Sequence, residues 1–400
     1  MDPERRRLLK VLGAAGLGGL AGCTGGPTES TPTEEPTDTP TPTEASGGGD
    51  GGDGTPTETP GGMDETPTAT ATPTGTPMDP TYIGMVYATG GLGDGSFNDQ
   101  AQQGLFQAEE DFGVRHQNAQ PETTSEFSTF QRQFAQSSDP DYDLVCCIGF
   151  LQTDSLGTTS ENFPEQNFML VDSVVDAPNV ANYTFREHEG SYLVGQLAGL
   201  LTTQSFSAGA GSTSGDSTNV GFVGGVESDL IRRFEAGYTA GVKAADSDVD
   251  VITSYVGGFS DPAGGQEAAL AMYNSGADIV YHAAGNTGTG VFRAAQDQGK
   301  FAIGVDRDQS VTRSSFQDVI LASMVKRVDT AVYNAIEAQV EGNFSGGSVT
   351  TLGLAEDGVD IVYGQQLGSE IPDDVKDPIA ESRQAIIDGE ISVPTDPGNA

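Results

Sequence analysis

The segment ADIVYHAAGNTGTGVFRAAQDQGKFAIGVD, residues 277–306, predicts the fold of most of the chain. Two apolar runs within it, at 279–283 and 301–305, have the length of buried strands. The stretch 289–298 between them spaces its apolar residues as a helix does. A helix between two apolar strands is typical of a parallel sheet whose faces are covered by helices. The segment therefore predicts an α/β fold.

The same alternation continues in both directions and predicts two doubly wound parallel-sheet lobes joined by a hinge. Further strands are predicted at 82–87, 143–150, 167–172, 220–224, 251–256 and 320–325. Further helices are predicted at 98–112, 188–203, 229–245, 261–274 and 328–340, with a hairpin around 353–363 and a closing helix from Asp373. A Gly/Ser-rich break at 207–219 is either a surface loop or a connection between the lobes. We assign 80–206 with 306–343 to the N-terminal lobe and 219–305 with 344–400 to the C-terminal lobe.

The first 79 residues predict export, anchoring and a tether. Residues 1–23 combine a basic start, a short apolar core and the sequence LAGC, which resembles a lipobox ending at Cys23. The run RRRLLK at 5–10 resembles a twin-arginine signal. An uncleaved membrane-anchoring segment is the alternative. Residues 24–79 are almost wholly Thr, Pro, Glu, Gly and Asp, which predicts a disordered linker that acts as a spacer and could carry sugars. The predicted location is the extracellular face of the cell membrane.

Composition excludes several classes of function. The chain has 58 acidic and 18 basic residues and a formal net charge of −40. Phosphates would be repelled by this charge, which argues against nucleic acid as a partner. Dispersed acidic residues with scarce lysine favour a halophilic source, and an ordinary acidic secreted protein is the alternative. Three cysteines and three histidines offer neither a disulfide framework nor a zinc spacing, so no metal is predicted.

The carboxyl ends of the predicted strands indicate where a ligand would bind. Ligands of open α/β sheets bind at these ends. The residues that follow them include Phe97, Phe150 and Phe259 as well as Asp172 and Asp306. Aromatic rings beside carboxylates suit a flat, neutral ligand that carries hydroxyl groups. No phosphate-binding loop, nucleophile elbow or convincing catalytic triad is present, so neither a catalytic residue nor a cofactor is predicted.

Several of these loops carry a family resemblance. The segments are GGLGDGSFN (90–98), RRFEAGY (232–238), GADIV (276–280), AGNTG (284–288), IGVD (303–306) and MVKR (324–327). In this order they resemble the basic membrane protein family of ABC-transporter substrate-binding lipoproteins, whose characterised members bind purine nucleosides. The resemblance covers the chain from about residue 82 to residue 393. It implies a type I periplasmic-binding-protein-like fold.

The resemblance also implies roles for individual residues. Phe97 and Phe259 would stack on a nucleobase, and Asp306 would hold ribose hydroxyls. Asp172 would hydrogen-bond the base, and Lys326 would help to position the ligand. The remaining candidates are Asn98 beside the first ring, Phe150 in the cleft or the core, and Gly285, which would bring its backbone close to the ligand. Where family members often carry an acid before the Gly-Gly of the first loop, this chain has Ala88, which leaves the base preference open.

The function that follows is binding without chemistry. The protein would capture a small neutral solute, with a nucleoside favoured, and close its lobes on it. Its partners would be an ABC permease with its ATPase, and it would act as a monomer. A ligand-sensing adaptor for a membrane receptor, a binder of another solute such as a sugar, and a nucleoside hydrolase are the alternatives.

Overall fold

The structure, a computed structural model, describes residues 80–400, so the signal and linker predicted for residues 1–79 lie outside the described part. The strands are β1 (Tyr82–Val86), β2 (Arg115–Ala119), β3 (Leu144–Cys147), β4 (Asn167–Val171), β5 (Val180–Phe185), β6 (Ser207–Ala208), β7 (Gly211–Ser212), β8 (Asn219–Gly224), β9 (Asp250–Tyr255), β10 (Ile279–Ala283), β11 (Phe301–Asp306), β12 (Ile320–Lys326), β13 (Val349–Leu352) and β14 (Val359–Tyr363). The helices are α1 (Phe97–Phe112), α2 (Phe127–Ala135), α3 (Thr153–Asn162), α4 (Glu187–Thr202), α5 (Asp229–Ala245), α6 (Pro262–Asn274), α7 (Gly288–Gln298), α8 (Gln309–Thr312), α9 (Val328–Val340) and α10 (Asp373–Ile387).

Two six-stranded sheets define two lobes. The sheet of the first lobe has the order β13-β5-β4-β3-β1-β2, and all of its pairs are parallel. The sheet of the second lobe has the order β14-β12-β11-β10-β8-β9, and only β14 runs antiparallel to its neighbour. The predicted architecture of two parallel-sheet lobes is confirmed.

The segment at residues 277–306 forms a β-α-β unit in the second lobe. Strand β10 pairs in parallel with β11, and every residue of both strands is buried. Helix α7 connects them and ends at Gly299, whose φ of 61° is left-handed. Because helices cover both faces of the sheet, its central strands are apolar throughout rather than alternating.

The chain crosses between the lobes three times. The crossings follow β5, β12 and β13, and each leads into an element of the other lobe. The Arg186 amide donates to the Leu352 carbonyl at 2.9 Å, and the Arg327 amide donates to the Gly358 carbonyl at 2.8 Å. These bonds hold the three crossings side by side, as a hinge requires.

The predicted lobe boundaries were wrong in three places. Strand β12 was assigned to the N-terminal lobe but pairs with β11 in the second sheet. Strand β13 was assigned to the C-terminal lobe but pairs with β5 in the first sheet. Helix α4 was assigned to the N-terminal lobe but packs on α5 of the second lobe, where a Cβ on Gly195 would lie 2.2 Å from the Tyr238 carbonyl oxygen. Local patterns define an element but not the sheet that it joins.

Other local predictions also need correction. The hairpin around 353–363 does not form, because β13 and β14 belong to different sheets. The break at 207–219 contains the short β6–β7 hairpin, and the Ala210 amide bonds to the Asp318 carbonyl within the second lobe. Strands β2 and β5 were missed. β2 is a polar edge strand. β5 contains Asn182, a polar residue that interrupts the apolar pattern and whose side-chain oxygen accepts from the Val175 amide.

Within residues 80–400, no helix combines the length and apolar character needed to cross a bilayer.

Candidate functional site

A cleft lies between the two lobes, at the carboxyl ends of their strands. Residues from both lobes line it, since it is bordered by the loop after β1 and by the end of β11. All eight candidate residues lie around this one cleft: Phe97, Asn98, Phe150, Asp172, Phe259, Gly285, Asp306 and Lys326. The structure thus brings together positions that are up to 229 residues apart (97 to 326) in the sequence. Their contacts with a ligand stay a prediction.

Three phenylalanine rings form the apolar part of the cleft. Phe97 begins α1, Phe150 follows β3, and Phe259 follows β9 in the other lobe. The rings of Phe150 and Phe259 meet edge to face, with centroids 6.4 Å apart and planes at 85°. Phe259 lies so close to Gly225 that a Cβ there would be 2.4 Å from the ring. Both lobes therefore supply aromatic surface to the same space.

A buried charge cluster borders the cleft, and its members Asp172 and Lys326 line it. The Lys326 Nζ lies 2.6 Å from Asp172 Oδ1 and 3.2 Å from Glu187 Oε1. The three side chains are only 1%, 3% and 0% exposed. The ammonium also lies 5.0–5.5 Å from the ring centroids of Phe97, Phe185 and Phe234. Lys326 therefore pairs with buried acids rather than with a surface acid.

Burial governs the ionisation of this cluster. It raises the pKa of Asp306 to about 7 and that of Glu187 to about 7, although Lys326 opposes both shifts. Burial works to lower the pKa of Lys326, but Asp172, Glu187 and Asp306 outweigh it and hold that pKa above its ordinary value. The lysine is therefore charged at neutral pH, and the cluster holds one cation among three carboxyl groups.

The backbone presents two of these carboxyl groups in an uncommon conformation. Asp172 has a φ of 70° and Asp306 a φ of 64°, in the left-handed region that non-glycine residues seldom adopt. Neither residue caps a helix, although Asp after a strand often does. The cap of α8 is Asp308, whose side chain accepts from the Ser310 amide. At both positions the left-handed backbone at the end of the strand directs the carboxyl group into the cleft.

The glycine-rich loop after β1 is held in shape by its own polar side chains. The Asp94 carboxylate accepts from the amides of Ser96 and Asn98 at 2.9 Å, and the Asn98 side-chain oxygen accepts from the Ala88 amide at 2.9 Å. Ser96 Oγ donates to Asp306 Oδ2 in the other lobe. Asn98 thus lines the cleft while supporting the loop, and Ser96 connects the lobes directly.

Several residues at or beside the site are not among the candidates predicted from the sequence. Glu187 begins α4 directly after β5, and because that strand was not recognised, its strand-end position was hidden. Ser96 lies within the quoted loop motif, but its contact with Asp306 joins residues 210 positions apart. Phe234 lies in the quoted motif of α5, where helical periodicity alone makes it a core residue. Strand-end position could have found Glu187; only tertiary contact reveals the other two.

The described residues do not favour a metal ion at this site. Among residues 80–400, no group of three or more His, Cys, Asp or Glu side chains has an arrangement that could hold one. The position that a cation would take among the carboxyl groups is filled by the Lys326 ammonium. The site can therefore offer stacking surfaces, hydrogen-bond acceptors and one positive charge.

Comparison with known proteins places these features in a family. The family model described as "ABC transporter substrate-binding protein PnrA-like" matches residues 82–396. The chain is 37% identical over 334 residues to a "CD4+ T-cell-stimulating antigen" of Listeria monocytogenes, covering 79% of this chain and 88% of that protein. It is 34% identical over 330 residues to the "ABC transporter nucleoside-binding protein BmpA" of Lactococcus lactis, covering 78% and 88%.

A solved structure supports the same assignment. An ABC transporter solute-binding protein from Aeropyrum pernix superposes with a TM-score of 0.70 at 30% sequence identity. The match covers 79% of this chain and 94% of that protein. The similarity therefore extends over both lobes and the cleft between them.

Proposed function

We propose that this chain, which belongs to the family of PnrA-like ABC transporter substrate-binding proteins, binds a nucleoside, with purine nucleosides preferred, between its lobes. One observation carries the proposal. Rings from both lobes and a buried cluster of carboxyl groups with a lysine line the same cleft. The nucleoside-binding relative from Lactococcus lactis supports it.

Each part of a nucleoside has a matching part of the cleft. The flat base would stack between Phe97 and Phe259, because aromatic faces attract one another at close range. The ribose hydroxyls would donate to Asp306 and Asp172, and Lys326 would supply a charged donor to a ligand oxygen. A nucleotide would bring a phosphate beside several carboxyl groups, so we expect the uncharged nucleoside to be preferred.

The chain would bind its ligand without turning it over. Closure around the ligand would mark the loaded form for an ABC permease, and the associated ATPase would drive transport. The lipobox at residues 20–23 would anchor the protein through Cys23 on the outer face of the membrane, and residues 24–79 would act as the tether. Export through the twin-arginine route and a monomeric state belong to the same proposal.

Calorimetry of the purified protein in 2 M KCl tests the proposal. We expect adenosine, guanosine or inosine to bind, and Asp306→Asn to weaken binding by about 1–3 kcal/mol through loss of a charge-assisted hydrogen bond. Asp374→Asn, at an exposed position on α10, is the matched control and should leave the affinity unchanged. Incubation should release no free base from the nucleoside.

Two outcomes would overturn the proposal. If five nucleosides (adenosine, guanosine, inosine, uridine and cytidine) all failed to bind while a sugar did, the ligand class would be wrong. If Asp306→Asn bound as tightly as the wild type, Asp306 would not contact the ligand.

A further inference from the structure

The glycine-rich loop of the first lobe contacts the second lobe directly. This contact lies outside the three chain crossings. The loop comprises residues 90–96, and the opposing segment is α8 with the residue that follows it, Arg313. No strand or covalent connection joins these two segments, so any bond between them forms only when the lobes approach each other. Such bonds contribute to the stability of the closed form alone.

Three side chains of the second lobe donate to backbone carbonyls of the loop. Thr312 Oγ1 donates to the Gly95 carbonyl at 2.8 Å, and Gln309 Nε2 approaches the same oxygen at 3.4 Å. Arg313 Nη2 donates to the Gly93 carbonyl at 3.1 Å. The acceptors are main-chain atoms, so the contact depends on the shape of the loop rather than on its side chains.

The loop has a shape that only glycine allows at the point of contact. Gly95 has a φ of 58°, and a Cβ on it would lie 2.9 Å from the Cζ of Arg313. The guanidinium therefore packs directly against the Gly95 backbone. The bonds from the Gly93 and Gly95 amides to the Asp99 carboxylate, at 2.7 and 2.8 Å, hold the loop in this shape.

Arg313 also bonds to neutral oxygens rather than to a carboxylate. The chain has 58 acidic residues, yet no carboxylate of residues 80–400 lies within ion-pair distance of this guanidinium. Its second bond goes to the Asn286 side-chain oxygen at 3.3 Å, in its own lobe. Arg313 therefore connects the two lobes through hydrogen bonds to neutral oxygens. High salt weakens such hydrogen bonds less than it weakens an exposed ion pair.

The segment that carries these donors is fixed to the second lobe. Gln309 Oε1 accepts from the Val305 amide at 2.8 Å and from His282 Nε2 at 2.9 Å. Burial lowers the pKa of His282 to about 3, so the ring is neutral at the pH of any binding experiment. The backbone N–H of Gln309 donates to Ser323 Oγ at 3.0 Å. The donors therefore move with the lobe as a rigid unit.

We propose that Thr312 and Arg313 form an interlobe clasp, which bonds the loop at residues 93–95 and holds the cleft closed. The two residues do not line the cleft, so they act as positioning residues. Closing the clasp brings Ser96 to Asp306 and the ring of Phe150 to that of Phe259. Part of the free energy of closure is thus independent of the ligand, and the ligand-free protein has a measurable closed population.

The clasp is tested by the distance between the lobes without any ligand. Spin labels at Asp154→Cys in the first lobe and Glu267→Cys in the second, both exposed helix positions, report closure by pulsed electron resonance. Cys23→Ser removes one competing thiol, and Cys146 and Cys147 are buried. We expect the ligand-free wild type to show a closed distance. We expect Thr312→Val with Arg313→Met to reduce the closed-to-open ratio about tenfold, equal to about 1.4 kcal/mol.

Matched variants separate the clasp from general effects. Arg293→Met removes an exposed arginine from α7 of the same lobe and should leave the distance distribution unchanged. Thr312→Val alone is nearly isosteric, so it tests the clasp even if the double variant folds poorly. A wild type without a closed population, or equal closed populations in the wild type and Thr312→Val/Arg313→Met, would overturn the proposal.

Ligand kinetics provide a second readout. With inosine as the probe, we expect the double variant to raise the dissociation rate about tenfold while the association rate changes little, because the clasp forms after the ligand has entered. An unchanged dissociation rate would contradict the clasp. The distance measurement needs no ligand, so its result stands apart from whether a nucleoside binds.

Discussion

At the scale of single residues, the unusual feature is a lysine enclosed with three carboxyl groups. Moving ions out of water costs several kcal/mol each, and a buried pair seldom repays this cost relative to an apolar pair. Lys326, Asp172, Glu187 and Asp306 are therefore poorly explained by stability. Asp172, Asp306 and Lys326 line the cleft, where the proposed nucleoside would use their charges.

The ionisation of Glu187 leads to a pH-dependent prediction. Its pKa is raised to about 7 from an ordinary value of 4.5, so the folded protein keeps a proton that the unfolded chain releases between these pH values. The contribution of Glu187 to stability is complete below pH 4.5 and is lost as the pH rises to 7. Since Gln cannot ionise, Glu187→Gln should gain stability relative to the wild type across this window.

Urea unfolding at intervals from pH 4.5 to pH 8 measures this difference. Glu267→Gln, at an exposed position on α6, is the control and should follow the wild-type curve. If the curve of Glu187→Gln also ran parallel to that of the wild type, the folded protein would not hold Glu187 protonated.

At the scale of elements, glycines decide how the helices pack. Helices α4 and α5 approach so closely that a Cβ on Gly237 would lie 2.1 Å from the His188 carbonyl oxygen and one on Gly241 2.0 Å from the Tyr192 carbonyl oxygen. Because α4 directly follows the first crossing, this packing fixes the end of the hinge to the second lobe. Glycine lowers helix propensity, but here it permits backbone contact.

A pair of glycine substitutions tests this packing. A Cβ on Gly195 would lie 2.2 Å from the Tyr238 carbonyl oxygen, so Gly195→Ala should force the helices apart and destabilise the protein by about 1–3 kcal/mol. Gly157 lies within α3, and a Cβ there would meet nothing within 4 Å. Gly157→Ala should therefore stabilise the protein by up to about 1 kcal/mol. Denaturant unfolding measures both, and equal effects would contradict the packing argument.

At the scale of the whole molecule, two lobes share three crossings and carry a large excess of negative charge. The net charge of −40 repels itself over the entire surface. Salt shortens the range of this repulsion from about 10 Å at 0.1 M to about 3 Å at 1 M. Because it shortens this range, salt should stabilise the folded chain.

Salt dependence is therefore the prediction at this scale. We expect the thermal midpoint of the protein at pH 7 to rise between 0.1 M and 2 M KCl. The rise should shrink at pH 4, where many carboxylates are protonated, and sucrose at equal osmolality should not reproduce it. A midpoint that is flat across the salt range would contradict the halophilic interpretation.

The class of fold and most of the helices and strands follow from the amino-acid sequence alone. Helices α5 and α9 and strand β10 lie where the periodicity predicted them, because apolar spacing records which face of an element is buried. The strand-end rule also selected Phe97, Phe259 and Asp306 before the cleft was seen, because the carboxyl ends of parallel strands meet at one edge of a sheet.

The lobe that each element joins, and the distant residues that meet, depend on tertiary contacts. Strands β12 and β13 each lie in the lobe opposite to the one predicted. The reason is that strand pairing depends on long-range hydrogen bonds, which local sequence patterns do not encode. Glu187 joins Lys326, and Arg313 joins Gly93, through contacts between segments that are far apart in the chain. The physical reason is that periodicity reports burial along one element, whereas a site depends on the relative positions of several elements.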